Sequence, residues 1–187
     1  TSVSSRTAFL TIQRQGKRMS RLINDMLDYT RLEMRPDRYP KQNVDLSALI
    51  TSLCDDMALI RQQGIQLTAD IQPEINIYGN PQLLSRLVTN LISNAERHTQ
   101  NGTITISLTG EPGWQTICVS DTGTGMSEEM QKNALKGYVS ADKDYWRHGI
   151  GLYVCHQIIT AHGGKIWLKS KEGEGTQVFF SLPEEES

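Results

Sequence analysis

Three short stretches of this sequence carry residue types whose spacing could do chemistry. In DTGTGM (Asp121 to Met126), two glycines two apart let the backbone turn tightly and let a ligand approach with no Cβ in the way. The aspartate can accept a hydrogen bond from an exocyclic amine such as that of adenine. In RHGIGLYV (Arg147 to Val154), a glycine pair opens a helical pattern, and the free N–H groups and dipole of a helix start favour an anion such as phosphate. This stretch lacks the lysine and Ser/Thr of GxxxxGK[ST] and does not fit the dinucleotide fingerprint. In NLISNAERHT, Asn90, Asn94 and Arg97 share one helical face. Amide oxygens there could ligate a hard cation such as Mg²⁺, and the arginine could neutralise phosphate oxygens. Taken singly, each stretch also fits something plainer: an ordinary turn, a close-packing loop or a solvated helix face.

The elements that must position these residues follow from periodicity. Asn80-Pro81 is a helix start, an N-cap followed by proline, and Leu84, Leu87, Val88, Leu91 and Ala95 form the core stripe of that helix. TITISL and GWQTICVSD read as strands, the second ending at Asp121. SEEMQKNALKG reads as a short helix capped by Ser127, and the residues from Tyr138 to His148 as a loop. Gly149 to His162 is helical, stopped by Gly163-Gly164. KIWLKS and TQVFFSL close the chain as strands. Upstream, Ile12, Met19, Leu22, Met26 and Tyr29 form a helical seam, widened by Ile23 and Leu27. RPDRYPKQN reads as a linker, followed by a helix from Asp45 to about Gln63, a strand over Ile65–Ile71 and a short one at Ile75 and Ile77. Helices and strands are partly segregated, which predicts a mixed sheet with its helices on one face.

Composition narrows the function classes. With 187 residues, 37% hydrophobic and 21% charged, the chain can bury a core. A net charge of −2 gives no basic footprint for nucleic acid or an anionic membrane. No apolar run approaches the roughly 18 residues of a membrane span, and no secretory signal opens the chain. Three separated cysteines read as buried reduced thiols of a cytoplasmic protein. The chain starts in mid-pattern, as a fragment of a longer protein would.

Taken in order, the three stretches resemble the N, G1 and G2 boxes of the sensor histidine kinases of two-component signalling. These kinases belong to a wider superfamily shared with gyrase B, Hsp90 and MutL. GEGTQVFFSLP resembles the closing G-x-G-T strand of that family, and VDLSALI the start of its catalytic domain. RMSRLINDMLDYTRLEM resembles the second helix of its dimerisation hairpin. The resemblance implies an α+β fold, a two-layer α/β sandwich with a mixed, mostly antiparallel sheet and helices on one face. A long N-terminal helix would precede it, with residues 1–40 as partial hairpin and linker and 41–187 as the catalytic ATP-binding domain.

It also implies roles. Asn94 would ligate Mg²⁺, with Asn90 on the metal or phosphates and Arg97 on phosphate. Asp121 would read the adenine amine, and Gly123 and Gly125 would shape the pocket. Gly149 and Gly151 would frame the triphosphate, and Thr176 would support the adenine end. Residues 138–148 would form the ATP lid, with Lys143 and Arg147 as phosphate contacts. The implied partners are ATP, the phosphoacceptor hairpin of the same protein as a homodimer, and a response-regulator receiver domain; nucleic acid is not among them.

The sequence departs from the family in three places. The F box is degenerate as ALKGYV, with Tyr138 standing in for its aromatic. The first glycine of the G2 box is replaced near Arg147. Asn80 stands where the family often has aspartate, a helix cap in either case. The superfamily ATPases carry a glutamate base four residues before the metal asparagine. That position here is Asn90, whose amide cannot take a proton, so the reading favours phosphoryl transfer over hydrolysis. None of His98, His148, His156 and His162 is followed by an acid, so none reads as the phosphoacceptor. A superfamily ATPase and a nucleotide-binding pseudokinase or scaffold are the alternatives.

Overall fold

The computed structural model describes residues 39–60, 64–132 and 151–184, with single positions of the N-terminal segment. At Phe9, Ile12, Gly16, Met19, Ser20, Ile23 and Leu27 the backbone is helical and the residues are exposed. Leu22, Met26 and Tyr29 lie outside the described residues.

Strand β1 (Gln42–Asp45) leads directly into helix α1 (Leu46–Ile60). The sequence pattern of this stretch reads as linker, because four residues with only Val44 buried show no alternation. It is a strand because it pairs antiparallel with β3 (Asn76–Gly79) in a small two-stranded sheet. Asp45 nevertheless caps α1, its Oδ1 accepting the Ala48 N–H at 2.9 Å. Ser47 ties the same helix start to the 72–75 turn, donating to the Gln72 carbonyl at 2.7 Å and accepting the Ile75 N–H at 2.9 Å.

The main sheet has the order β2-β4-β5-β7-β6, built from Ile65–Ile71, Gly102–Glu111, Trp114–Asp121, Gly175–Pro183 and Lys165–Lys171. Only β2 and β4 run parallel, and every other neighbouring pair is antiparallel. Helix α2 (Pro81–His98) and helix α3 (Gly151–Ala161) cover one face together with α1. The stripe expected on α2 is buried in full: Leu84, Leu87, Val88, Leu91 and Ala95 all lie in the core. They meet the alternating strand residues Ile104, Ile106 and Leu108, then Ile117 and Val119, then Val178, Phe180 and Leu182. On the other face Trp167 stacks on Phe179 with ring centroids 5.4 Å apart, and Lys169 lies over Phe179. Lys165, Lys169 and Lys171 on the edge strand β6 discourage pairing with another chain.

Candidate functional site

The register of the sheet places a polar patch at one end of an otherwise apolar face. Core-facing rows of paired residues cross the strands. One row reads Ile71, Leu108, Ile117, Phe180, Ile166, and the next reads Ala69, Ile106, Val119, Val178, Leu168. The following row begins with Leu67 and Ile104 and then turns polar, as Asp121, Thr176 and Ser170. Asp121 and Thr176 are both buried, at 8% and 7% exposure. A carboxylate among apolar rows needs hydrogen bonds to offset lost hydration. The Gly123 N–H donates to its Oδ1 at 2.8 Å, and the Thr176 N–H supplies a second bond. Burial pushes the Asp121 carboxyl above its ordinary value, while Gly123, Thr176 and the nearby His98 pull it back.

The turn after β5 is locked by its backbone. The Thr124 N–H donates to the His98 carbonyl at 3.1 Å, and the Gly173 N–H donates to the Thr124 carbonyl at 2.8 Å. Gly123 packs so closely on the His98 carbonyl that a Cβ there would overlap it. Gly125 has φ 65°, and a Cβ on it would overlap the Lys171 carbonyl. Thus both glycines singled out from the sequence are needed where they stand. Gly175, the second glycine of the closing G-x-G-T stretch, has φ 99°, and its Cβ would overlap the Asp121 carbonyl. Ser170 is the residue that the sequence did not reveal. Its hydroxyl accepts the Met126 N–H at 2.8 Å, donates to the Gly175 carbonyl at 2.9 Å, and lies 2.8 Å from Thr176 Oγ1. With its one proton on Gly175, Ser170 must accept from Thr176, which leaves the Thr176 oxygen lone pairs open among the described residues. Gly175 was legible as a glycine opening a strand. Ser170 gave no signal, because only the β6–β7 register brings it to Thr176.

The C-terminal half of α2 borders this patch, since the His98 carbonyl holds the Asp121 turn. Asn90, Asn94 and Arg97 fall within about a sixth of the helix circumference. Arg97 Nη2 donates to Asn94 Oδ1 at 2.8 Å, and the arginine is exposed. Asn90 Nδ2 is sealed from solvent and has no hydrogen-bond partner among the described residues. Burial, and then the Arg97 charge, hold the His98 imidazole below its ordinary value, against the pull of Asp121. Glu96, the acid of this helix, points about a third of a turn away from Asn90. Among the described residues no group of three or more His, Cys, Asp and Glu comes together. The oxygen donors on this face are amides, which suit a hard cation that keeps its waters and bridges to phosphates.

Helix α3 opens at Gly151. Lys143, Arg147, Gly149, Tyr138 and the 138–148 loop lie outside the described residues. His156 is half-buried on α3 with its Nδ1 unpartnered among the described residues, and burial lowers its basicity. His162, expected on a helix face, instead lies just past the helix and is buried.

A mixed sheet covered by helices on one face, with a buried carboxylate at a strand end and a glycine-locked turn beside it, makes a two-layer α/β sandwich with one polar end. A family model described as histidine kinase-, DNA gyrase B-, and HSP90-like ATPase matches residues 79–186, and the chain belongs to that family. Within it the chain carries the histidine kinase type of ATP-binding catalytic domain. It is 32% identical over 184 residues to the sensor histidine kinase RppB of Synechocystis sp., spanning 95% of this chain and 40% of that protein. It is similar in fold to full-length ShkA solved in complex with AMPPNP, with a TM-score of 0.75 and 22% identity over 95% of this chain and 38% of that one. It is also similar to histidine kinase ThkA solved in complex with the response regulator protein TrrA, with a TM-score of 0.72 and 21% identity over 93% of this chain and 49% of that one. The chain therefore spans less than half the length of these relatives.

Proposed function

We propose that this chain is the catalytic part of a sensor histidine kinase that passes the γ-phosphate of Mg-ATP to a histidine on a dimerisation hairpin. From there the phosphate would pass to an aspartate of a response-regulator receiver domain. The observation that carries the reading is the amide pair on α2. Where hydrolysis needs a carboxylate to take a proton from water, Asn90 offers an amide, which cannot take one, and its Nδ2 is sealed and unpartnered among the described residues. The fit to a nucleotide supports it from the other end. Asp121 can accept the adenine amine, and the open lone pairs of Thr176 can hold a water beside it.

Asn94, with Asn90 one turn earlier, would hold Mg²⁺, which supplies charge neutralisation on the phosphates. Arg97 now occupies the Asn94 oxygen. Two cations cannot share that atom cheaply, so Arg97 would swing to a phosphate oxygen, as an exposed side chain can. The N–H groups opening α3 at Gly151, with Gly149, would face the phosphates, and Lys143 and Arg147 would close over them from the 138–148 lid. The acceptor histidine would come from a hairpin segment beyond these 187 residues. Residues 1–40 would contribute the other hairpin helix and linker to a homodimer, with residues 41–187 as the catalytic domain. Among the described residues no helix is long and apolar enough to cross a membrane, and we place the domain on the cytoplasmic side.

Titration calorimetry tests the binding step: Mg-ATP should bind with micromolar-class affinity, and no heat of binding would end the proposal. Supplying a histidine-bearing hairpin and labelled ATP tests the transfer. Label on the hairpin is expected, whereas steady phosphate release without transfer would indicate an ATPase. Binding without either would indicate a pseudokinase.

A further inference from the structure

The nucleotide reading concerns one end of the α2–α3 pair, yet a buried, hydrogen-bonded polar joint lies at the other end. Asn80 is 2% exposed and caps α2, its Oδ1 accepting the Leu83 N–H at 3.0 Å. Its own N–H donates to His162 Nε2 at 3.0 Å, and its Nδ2 donates to the Pro40 carbonyl at 3.0 Å. His162 is 6% exposed, and its Nδ1 lies 2.7 Å from the Ile158 carbonyl. Because Nε2 accepts, the ring proton is on Nδ1 and points to that carbonyl. One side chain thus joins the end of α3 to the start of α2. Gly79 makes room for it, since a Cβ there would come within 2.9 Å of His162 Cδ2.

This joint sets a register. The Cys155 thiol contacts the Leu87 carbonyl at 3.9 Å. Cys155 lies seven positions before His162, and Leu87 seven positions after Asn80 (162 − 155 = 87 − 80 = 7). The two helices are therefore antiparallel and in step. Continuing at about 1.5 Å per residue brings the start of α3, at Gly151, level with residue 91 of α2, about 16 Å from the joint. That puts the N–H end of α3 beside Asn90 and one turn from Asn94. A slip of one helical turn would displace it by about 5.4 Å and separate the two groups.

We infer that His162 is a positioning residue for the triphosphate: by accepting the Asn80 N–H it fixes the α2–α3 register that brings the N–H end of α3 to the amide pair. The inference rests on the ATP reading above, and adenosine separates the two, because Asp121 holds the adenine from the sheet and not from this helix pair. His162→Asn keeps a donor near the Nδ1 position and loses the acceptor for Asn80, whereas His162→Gln keeps an acceptor near Nε2. Titrate each with Mg-ATP and with adenosine, checking folding by circular dichroism.

His162→Asn is expected to weaken Mg-ATP about tenfold with adenosine unchanged, and His162→Gln to stay within about twofold of wild type. Equal loss for both ligands, no loss, or equal behaviour of the two variants would overturn the inference. If His162→Asn does not fold, Gly79→Ala, which crowds the ring while leaving His162 in place, is read by the same ATP-to-adenosine comparison. A wild-type chain that binds neither ligand would count against the ATP reading itself.

Discussion

The two ends of the site are built on opposite plans. Around Asp121 the bonds that shape the turn are already made: Gly123 on the carboxylate, Thr124 on the His98 carbonyl, Ser170 on Met126, Gly175 and Thr176. On α2 the polar groups are left to be used, with Asn90 Nδ2 unpartnered among the described residues and exposed Arg97 resting on Asn94. A flat, uncharged base is recognised by shape and one hydrogen bond, which a rigid backbone supplies without reorganising. A metal-bound triphosphate carries several charges that move during transfer. Donors that can change partner suit it better.

The contrast breaks most visibly at the rigid end. Gly125→Ala and Gly175→Ala each force a Cβ into a carbonyl at positive φ and should destabilise the fold by about 2–4 kcal/mol. Urea melts showing less than about 1 kcal/mol would mean that this turn is not rigid. The next effect is at Asp121. Asp121→Asn should weaken ATP roughly 10- to 100-fold, as loss of a charged acceptor does, without loss of stability.

The sign follows from its raised folded value. Below the ordinary value of 3.8 the carboxyl is protonated in both states and costs nothing. As pH rises through the folded value, its buried charge increasingly opposes folding. Nucleotide affinity should run the other way and fall as pH drops through that same value. A melting midpoint sharply lower in Asp121→Asn at neutral pH would contradict this.

The adaptable end should respond only to its ligand. Asn94→Ala should cost about tenfold in affinity with Mg²⁺ present and little without it, and should leave the melting curve nearly unchanged. Equal loss with and without the metal would remove Asn94 from its proposed role. Smallest of all, Arg97→Ala removes a like charge beside His98, so NMR titration should find the His98 value raised toward ordinary, with the burial contribution remaining. An unmoved value would show that Arg97 lies elsewhere in solution.

Much of this molecule is legible in its residues alone, and unevenly so. The α2 stripe can be read because each of its apolar residues repeats at helical spacing and is buried. The DxGxG turn can be read because positive φ and close backbone approach leave glycine as a visible mark. Strand β1 cannot, since a four-residue polar segment becomes a strand only when β3 is beside it. Nor can Ser170, 49 positions after Asp121 (170 − 121), whose hydroxyl depends on three strands being in register.

The sequence by itself determined the local chemistry: which helix carries amides on one face, where a carboxylate ends a strand and which turns require glycine. These follow from periodicity and backbone sterics, which act over a few residues. The tertiary structure alone decided that the carboxylate would be buried at the polar end of an apolar row, and that His162 would join the far ends of two helices. Both depend on pairings across 55 to 82 positions of chain, between Asp121 and Thr176 and between Asn80 and His162. No short-range pattern records which distant segment a side chain will meet.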